Sequence, residues 1–263
     1  MIEQPFVSVI VPVHNGSKQI KACLAALAAS SYPSFEIIVV DDCSTDDTVV
    51  TARRDGVNVL SLPKQSGASA ARNYGAQNAQ GDMLLFIDSD VVVRKETIEL
   101  VVDVFQHNTD IAAVFGSYDD DPVEGNFISQ YRNLFHHFHH QQSDNEAFTF
   151  WAGCGAVWKN VFEEIGGFNH KRYGKPSIED IELGYRIHKN GYKILLDKNL
   201  QVKHLKRWKF LSMLRADIFQ RSIPWSRLIL ETKFMPKHLN LEVSYRVSSI
   251  SVAFIIMLTP FFF

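Results

Sequence analysis

Three cysteines are all that 263 residues contain, and Cys23, Cys43 and Cys154 lie too far apart for any CxxC pair. That scarcity speaks against a disulfide framework and for reduced thiols in a cytosolic compartment. Charge of one sign is also lacking: the formal net charge is −2 with a hydrophobic fraction of 46%, which excludes a disordered chain and a globally basic nucleic-acid binder. No nucleic-acid partner is expected. Neither GxGxxG nor GxxxxGK(S/T) follows the first apolar run, which argues against a dinucleotide fold and a P-loop. Residues Met1 to Val11 carry no basic segment followed by a long apolar stretch, so no secretory signal peptide is expected and the folded part should stay inside the cell. Internal repeats and low-complexity tracts are absent from the pattern.

What is present is an alternation of short apolar runs and helical patterns. Phe6 to Val11 is rich in β-branched residues and reads as a strand; Ser17 to Ala29 then carries apolar residues at helical spacing. Phe35 to Val40 is a second strand, followed by the helix-start signal Ser44-Thr45-Asp46-Asp47. Val57 to Leu62 and Met83 to Ile87 are a third and fourth, separated by a helix over Ala68 to Ala79. Strand and helix in this order imply right-handed crossovers and a mostly parallel α/β sheet flanked by helices, Rossmann-like in its winding. Further along, Ile111 to Ser117 reads as a strand, Phe127 to His140 as a helix, and Phe148 to Trp158 as an extended segment interrupted by Gly153 and Gly155. Ile178 to Asn190 is an amphipathic helix ending at Gly191.

Ligands of such sheets bind beyond the carboxyl ends of the strands. Polar residues gather at those ends: Pro12-Val13-His14-Asn15, Asp41-Asp42 and Asp88-Ser89-Asp90. In an extended segment residues i and i+2 face the same side, so Asp88 and Asp90 can share one cavity. Their repulsion is relieved by a divalent cation set between them and a more negative group such as a nucleotide diphosphate. Taken by itself, an Asp-Ser-Asp after a strand is equally a turn.

The carboxyl-terminal part has its own character. From Leu205 to Arg246 there are nine Lys or Arg against three acids, a net of +6 that leaves −8 for the rest. Val247 to Phe263 follows as 17 uncharged residues, just short of the about 20 a membrane span needs. A basic stretch before an apolar terminus predicts contact with an anionic membrane surface, through an interfacial helix or a truncated transmembrane one. A buried terminal helix is the alternative.

The ordered motifs resemble family 2 glycosyltransferases, nucleotide-sugar enzymes with the GT-A fold, over Val7 to Trp225. Val7 to Asn15 is similar to that family's opening strand and base-binding loop, with His14 where Tyr is commoner. Phe35 to Ser44 resembles its second strand, which implies that Asp42 recognises the nucleobase. Gly67-Ala68-Ser69-Ala70-Ala71-Arg72-Asn73 is similar to the GxxxARN helix beneath the nucleotide; an ion pair of Arg72 with a sheet-end carboxylate remains the alternative. Asp88-Ser89-Asp90 then stands in the place of the metal motif, with Asp90 the ligand of Mn or Mg and Asp88 a ribose or water-shell contact. Glu179-Asp180 resembles the family's ED motif, with Asp180 the base that accepts the acceptor proton. Acids in a first helical turn also complement the helix dipole.

Trp151-Ala152-Gly153-Cys154-Gly155-Ala156 resembles the acceptor-side strand, and Gly166-Gly167-Phe168 the turn before the ED helix. The resemblance thereby places Trp151, Gly153 and Glu179 on the acceptor side. His204 is a second expected metal or diphosphate contact, against a structural role at a strand end. Arg221-Ser222-Ile223-Pro224-Trp225 is similar to the arginine-tryptophan element of processive membrane relatives without the full QxxRW form, implying Arg221 on the diphosphate and Trp225 on the acceptor; a cation-π pair between them is the alternative. No histidine and acid are tied to Cys154, so a nucleophile is not expected there. His136, His139 and His140 fall on one side of a helix without a carboxylate or Cys to complete a zinc set, which favours a polar or interfacial face.

These expectations combine into a catalytic region over residues 1–204, with a nucleotide-binding half (1–117) and an acceptor half (118–204). Basic amphipathic helices (205–246) and the apolar segment (247–263) follow. The implied activity is metal-dependent, inverting transfer from a nucleotide-diphosphate sugar, UDP-like, to a glycan or lipid-linked hydroxyl at the cytoplasmic membrane face. A non-catalytic nucleotide-sugar sensor or scaffold would keep Asp42 and Asp90 without needing Asp180. A nucleotidyltransferase ranks last, because Pro12 to Gly16 lacks a Gly- and Lys-rich loop.

Overall fold

A computed structural model describes residues 4–54 and 57–236, with 247, 248 and 251. Its first half follows the βα alternation closely. Strand β1 (Val7–Val13) leads to helix α1 (Ser17–Ala28), β2 (Phe35–Asp41), α2 (Thr48–Arg54), β3 (Asn58–Ser61), α3 (Ala68–Asn78) and β4 (Met83–Ile87). The chain continues through β5 (Val91–Val92), α4 (Thr97–His107), β6 (Ile111–Tyr118), α5 (Phe127–Gln142), β7 (Glu146–Ala147) and β8 (Cys154–Trp158). Helices α6 (Lys159–Glu164) and α7 (Glu179–Lys189) precede the long strand β9 (Lys193–His204). Helix α8 (Phe210–Arg215), a π-helical segment (Ala216–Ser222) and α9 (Ile223–Thr232) then run on without leaving helical dihedrals at either junction.

The strands lie in the order β3-β2-β1-β4-β8-β6-β9-β5, with β7 paired to β9. The sheet is mixed, which corrects the expectation of a mostly parallel one. β1 with β2, β2 with β3, β1 with β4 and β6 with β9 run parallel, whereas β8 is antiparallel to both β4 and β6. The cause lies in the approach: Cys154, the first residue of β8, pairs with Ile87, the last of β4, so the chain enters from the carboxyl rim and must run backwards. The extended segment expected from Phe148 is therefore a strand only from Cys154 onward. Because β8 fills the gap between β4 and β6, the two expected halves share one sheet.

Strand alternation sorts the apolar residues onto two faces. Val7, Val9 and Val11 of β1 and Met83, Leu85 and Ile87 of β4 face α1 and α4. Ile10, Leu84 and Phe86 face α3, α6 and α7. α1 buries Ile20, Cys23, Leu24 and Leu27, a helical stripe against the first face. α3 lies close on the other, and a Cβ on Gly75 would come 2.5 Å from Ile10 Cγ2. Phe86, fully buried among Phe150, Phe162 and Phe168 at ring distances of 5.2–6.5 Å, contributes about 3 kcal/mol of burial to that side.

Among the described residues no helix is long and apolar enough to cross a membrane. The expected apolar segment (247–263) and much of the basic one (237–246) lie outside the described residues, save that Val247, Ser248 and Ser251 are helical and exposed.

Candidate active site

Parallel register brings the ends of β1, β2 and β4 to one rim, where a cleft of about 860 Å³ opens. Twelve of the fourteen expected site residues line it; Asn15 and Gly153 do not. Asn15, at φ 51°, ties two loops together: its side-chain oxygen accepts from Thr45 N–H (2.8 Å) and its own N–H donates to Ser44 Oγ (2.8 Å). His14 donates from Nδ1 to the Asp42 carbonyl (2.8 Å) and receives Asn15 Nδ2–H at Nε2 (3.2 Å), a single neutral tautomer satisfying both contacts. Pro12 borders the same end of the cleft.

Asp42 makes two contacts that the sequence did not disclose. Its two oxygens accept the N–H groups of Ser66 (2.6 Å) and Gly67 (2.8 Å), fixing the loop that opens α3. Each carboxylate oxygen keeps a further lone pair.

Asp88, Ser89 and Asp90 form both a turn and a site. Val91 N–H closes the turn on the Asp88 carbonyl at 3.0 Å, while both carboxylates line the cleft. Asp88 Oδ1 meets Arg72 Nη2 at 2.7 Å, so the ion pair considered for Arg72 is formed. Arg72 is buried, its Nη1 reaches Glu179 Oε1 at 3.4 Å, and its guanidinium lies 5.4 Å from the Phe168 ring centre. Loss of hydration drives the Asp88 carboxyl above its ordinary range, and the neighbouring charge of Asp90 adds to that while Arg72 opposes it.

Asp90 faces His204 across the β5–β9 pairing, Oδ2 to Nε2 at 3.6 Å. Burial pushes the Asp90 carboxyl up, but contact with His204 and the charges of His204 and Lys206 outweigh it and leave the group below its ordinary value. Tyr118 stacks flat on His204, ring centres 4.3 Å apart and planes 10° apart, which fixes the imidazole.

Across the cleft, Ile178 precedes the first turn of α7. Glu179 is buried and engaged, Oε1 with Arg72 and Oε2 accepting Ser177 N–H at 2.8 Å, contacts that anchor the start of α7. Asp180 accepts Ala152 N–H (3.3 Å) and Ile181 N–H (2.8 Å). Burial, then the charge of Glu179, raise its carboxyl to about 7 against the opposing pull of Arg72 and the two amides. A carboxyl poised there suits proton transfer near neutrality.

Trp151 lines the same cleft, one residue before the amide that Asp180 accepts, its ring 4.9 Å from Tyr118 and 4.8 Å from His136. Gly153 makes room for it, since a Cβ there would lie 2.4 Å from the indole, and its carbonyl accepts Asp88 N–H at 3.2 Å. Arg221 pairs with Asp217 (3.5 Å), the residue that also holds Arg132 (2.9 Å). Trp225 donates from Nε1 to the Tyr185 hydroxyl at 3.0 Å, docking α9 on α7. Among the described residues the cation-ring contacts are those of Arg72, Arg132, Arg172 and Lys206, so the Arg221–Trp225 pair considered from the sequence is not among them.

Sequence reasoning missed most of the wall supplied by α5. Arg132, Phe135, His136, His139 and His140 all line the cleft, at spacing i, i+3, i+4, i+7 and i+8. That periodicity was the available signal. Among the described residues no group of three or more His, Cys, Asp or Glu side chains is arranged to hold a metal by itself.

The structure is thus a mixed α/β sheet with carboxylates on the carboxyl rim of its parallel strands. Residues 8–166 match Glycosyl transferase family 2, and the chain belongs to that family. Glycosyltransferase AglE of Haloferax volcanii is 30% identical over 174 residues, 63% of this chain and 57% of that protein. Poly(ribitol-phosphate) beta-N-acetylglucosaminyltransferase TarS of Staphylococcus aureus is 38% identical over 115 residues, 41% of this chain and 20% of that one. The chain thus spans less than two thirds of the length of these relatives. In structure it is similar to the mannosyltransferase PcManGT of Pyrobaculum calidifontis in complex with GDP-Man and Mn2+ (TM-score 0.65, 20% identity, 81% of this chain and 61% of that one). TarS 1-349 of S. aureus in complex with UDP-GlcNAc superposes with TM-score 0.61 at 24% identity, covering 78% of this chain and 59% of that one. At these identities the likeness is one of fold.

Proposed function

We propose that the protein moves a sugar, with inversion at the anomeric carbon, from a nucleotide-diphosphate donor of UDP type to a hydroxyl of a glycan or lipid-linked acceptor. The observation that carries this reading is the placement of Asp180, a carboxyl raised to about 7, beside Trp151 in the cleft that also holds Asp90 and His204. Asp42, His14 and Pro12 form the base end, which Asn15 supports by tying its two loops, with the fixed loop at Gly67 beneath the ribose. Arg72 bridges Asp88 and Glu179 and orients both, so its part in donor binding is indirect.

Asp90 and His204 fit a divalent ion, Mn or Mg. One carboxylate and one imidazole turned toward each other supply two of its ligands, and such ions complete their shells with waters and substrate phosphates. When bound, the ion would neutralise the charge gathering on the departing diphosphate. Asp180 takes the proton of the attacking hydroxyl. Trp151 and Trp225 border the acceptor, with Gly153 leaving space for the indole. Arg221, on the π-helical wall, adds positive charge near the leaving group.

A cytoplasmic membrane face is the proposed location. Its support is the basic, apolar carboxyl-terminal sequence together with the exposure of Leu211 (76%), Phe219 (63%) and Leu230 (76%) on the helical run after β9.

The test is turnover of UDP- and GDP-sugars by the full chain with Mn2+ or Mg2+, the product anomer read by proton NMR. The reading expects metal-dependent release of nucleotide and an inverted product. Activity indifferent to chelator and to Asp90→Ala removes the metal role, and a retained configuration removes Asp180 as base. Donor binding without turnover, unchanged by Asp180→Asn, favours a nucleotide-sugar sensor.

A further inference from the structure

α5 has two working faces. The inner face brings His136 into the cleft, its ring centre 4.8 Å from Trp151, 3.9 Å from His140 and 4.3 Å from Tyr118. Burial first, then the neighbouring charges of His140 and Arg132, hold the His136 imidazole well below its usual value and so neutral. Its Nδ1 is buried with no partner among the described residues, which favours the proton on Nε2, since a buried N–H left unpaired is costly. Flat rings and a neutral imidazole match the C–H faces and hydroxyls of an uncharged pyranose. The residue after Trp151, Ala152, donates its N–H to Asp180 at 3.3 Å, and Trp151, His136 and Asp180 line the same cleft.

The outer face is apolar. Phe127, Tyr131, Leu134 and Phe138, at spacing i, i+4, i+7 and i+11, are 77%, 46%, 42% and 53% exposed. With Gln130 and Phe135 they border an open hollow of about 390 Å³, of the size of a small-molecule site. Phe135 borders this hollow and the main cleft alike. The imidazole wall and the apolar hollow therefore meet at one side chain.

We propose that α5 is the recognition helix for an amphiphilic acceptor, a lipid-linked sugar whose head group lies on His136 and Trp151 beside Asp180 and whose alkyl chain passes Phe135 into the outer hollow. This selects one acceptor class and rests on the transferase reading. The continuity through Phe135 argues for a ligand tail in the hollow over a second copy of the chain or the bilayer plane.

The experiment is calorimetric binding to the full chain, saturated with Mg2+ and UDP, of methyl and octyl β-glycosides of glucose, galactose and N-acetylglucosamine below their micellar concentrations. At least one octyl glycoside is expected to bind at least about tenfold more tightly than its methyl partner, because part of the chain leaves water. The double variant Leu134→Ser, Phe138→Ser, confined to exposed positions, should bring octyl affinity down to the methyl value. His136→Ala should weaken that octyl glycoside by about fivefold or more, the order of one lost hydrogen bond. Equal methyl and octyl affinities, absence of any glycoside binding, a chain-length effect that survives the double variant, or octyl affinity unchanged by His136→Ala would each overturn the assignment. Equal affinities, or a chain-length effect that survives the double variant, give the hollow to the bilayer or to a second copy. Failure of UDP and Mg2+ to bind at all is the separate sign that the transferase reading has failed.

Discussion

Arg72 Nη2 stands 2.7 Å from Asp88 Oδ1, joining α3 to the turn after β4. The same guanidinium reaches Glu179 at 3.4 Å, so one buried cation ties the donor rim to the start of α7. Arg72→Met should cost about 3 kcal/mol of unfolding free energy in urea titrations. Removing one partner of a buried pair leaves charge uncompensated at a cost of about 3–5 kcal/mol, and the partial exposure of Asp88 holds the loss to the lower end of that range. Arg72→Lys should lose less stability and more activity, because an ammonium cannot bridge both carboxylates with a planar fork.

The pH dependence follows from Asp180. A base must be ionised, so the transfer rate should rise with pH through about 7, where burial has raised this carboxyl. The stability effect has the opposite sign. In the unfolded chain the group titrates near 4, so between about 4 and 7 the folded state holds the extra proton, and stability falls as pH rises through that window. Asp180→Asn should abolish transfer and at pH 8 stabilise the fold by about 2–3 kcal/mol, at roughly 1.4 kcal/mol per unit discounted for the solvent in the cleft. Chemical denaturation at pH 5 and pH 8 checks it; an equal change at both sinks the account.

The rim was legible in the sequence because strand–helix alternation forces the carboxyl ends of parallel strands to one side, and Asp42, Asp88 and Asp90 stand at those ends. The direction of β8 was not, because it is set by how the loop before Cys154 returns to the rim, and the local sequence carries no sign of it. Asp42 and Glu179 were read without their partners, because the N–H groups of Ser66 and Gly67 and the guanidinium of Arg72 reach them only through tertiary folding. The period of α5 was readable, yet which side of it faces the cleft depends on packing against Tyr118 and Trp151. The π-helical turn at Ala216–Ser222 breaks the 3.6-residue period and hid the inward side of the helix carrying Arg221.

Metal dependence should divide between Asp90 and His204. Asp90→Ala removes the carboxylate and is expected to lower kcat by about 10²–10³, the scale of losing one group that stabilises developing charge. His204→Ala should chiefly raise the Mn2+ concentration needed for half-maximal rate. Tyr118→Ala frees the imidazole that its ring now holds at 4.3 Å and should reproduce part of that shift with the ligands intact. Product formation titrated with Mn2+ distinguishes the three, and identical metal curves for all variants would remove the pair from the metal site.

Gly153 offers a steric test of the acceptor wall that touches no titrating group. A Cβ there would stand 2.4 Å from Trp151 Cζ2, closer than packed carbon atoms approach, so Gly153→Ala must turn the indole or shift the strand entrance. Overpacking of this kind costs about 1–3 kcal/mol. The carbonyl of Gly153 also receives Asp88 N–H at 3.2 Å, so a strand shift would be felt at the donor rim as well. If the indole yields, acceptor KM rises while the donor KM and the urea midpoint change little; if the backbone yields, all three move together. The first outcome is expected, because Trp151 is half-buried and faces the open cleft, whereas the backbone on either side is pinned between β4 and Asp180.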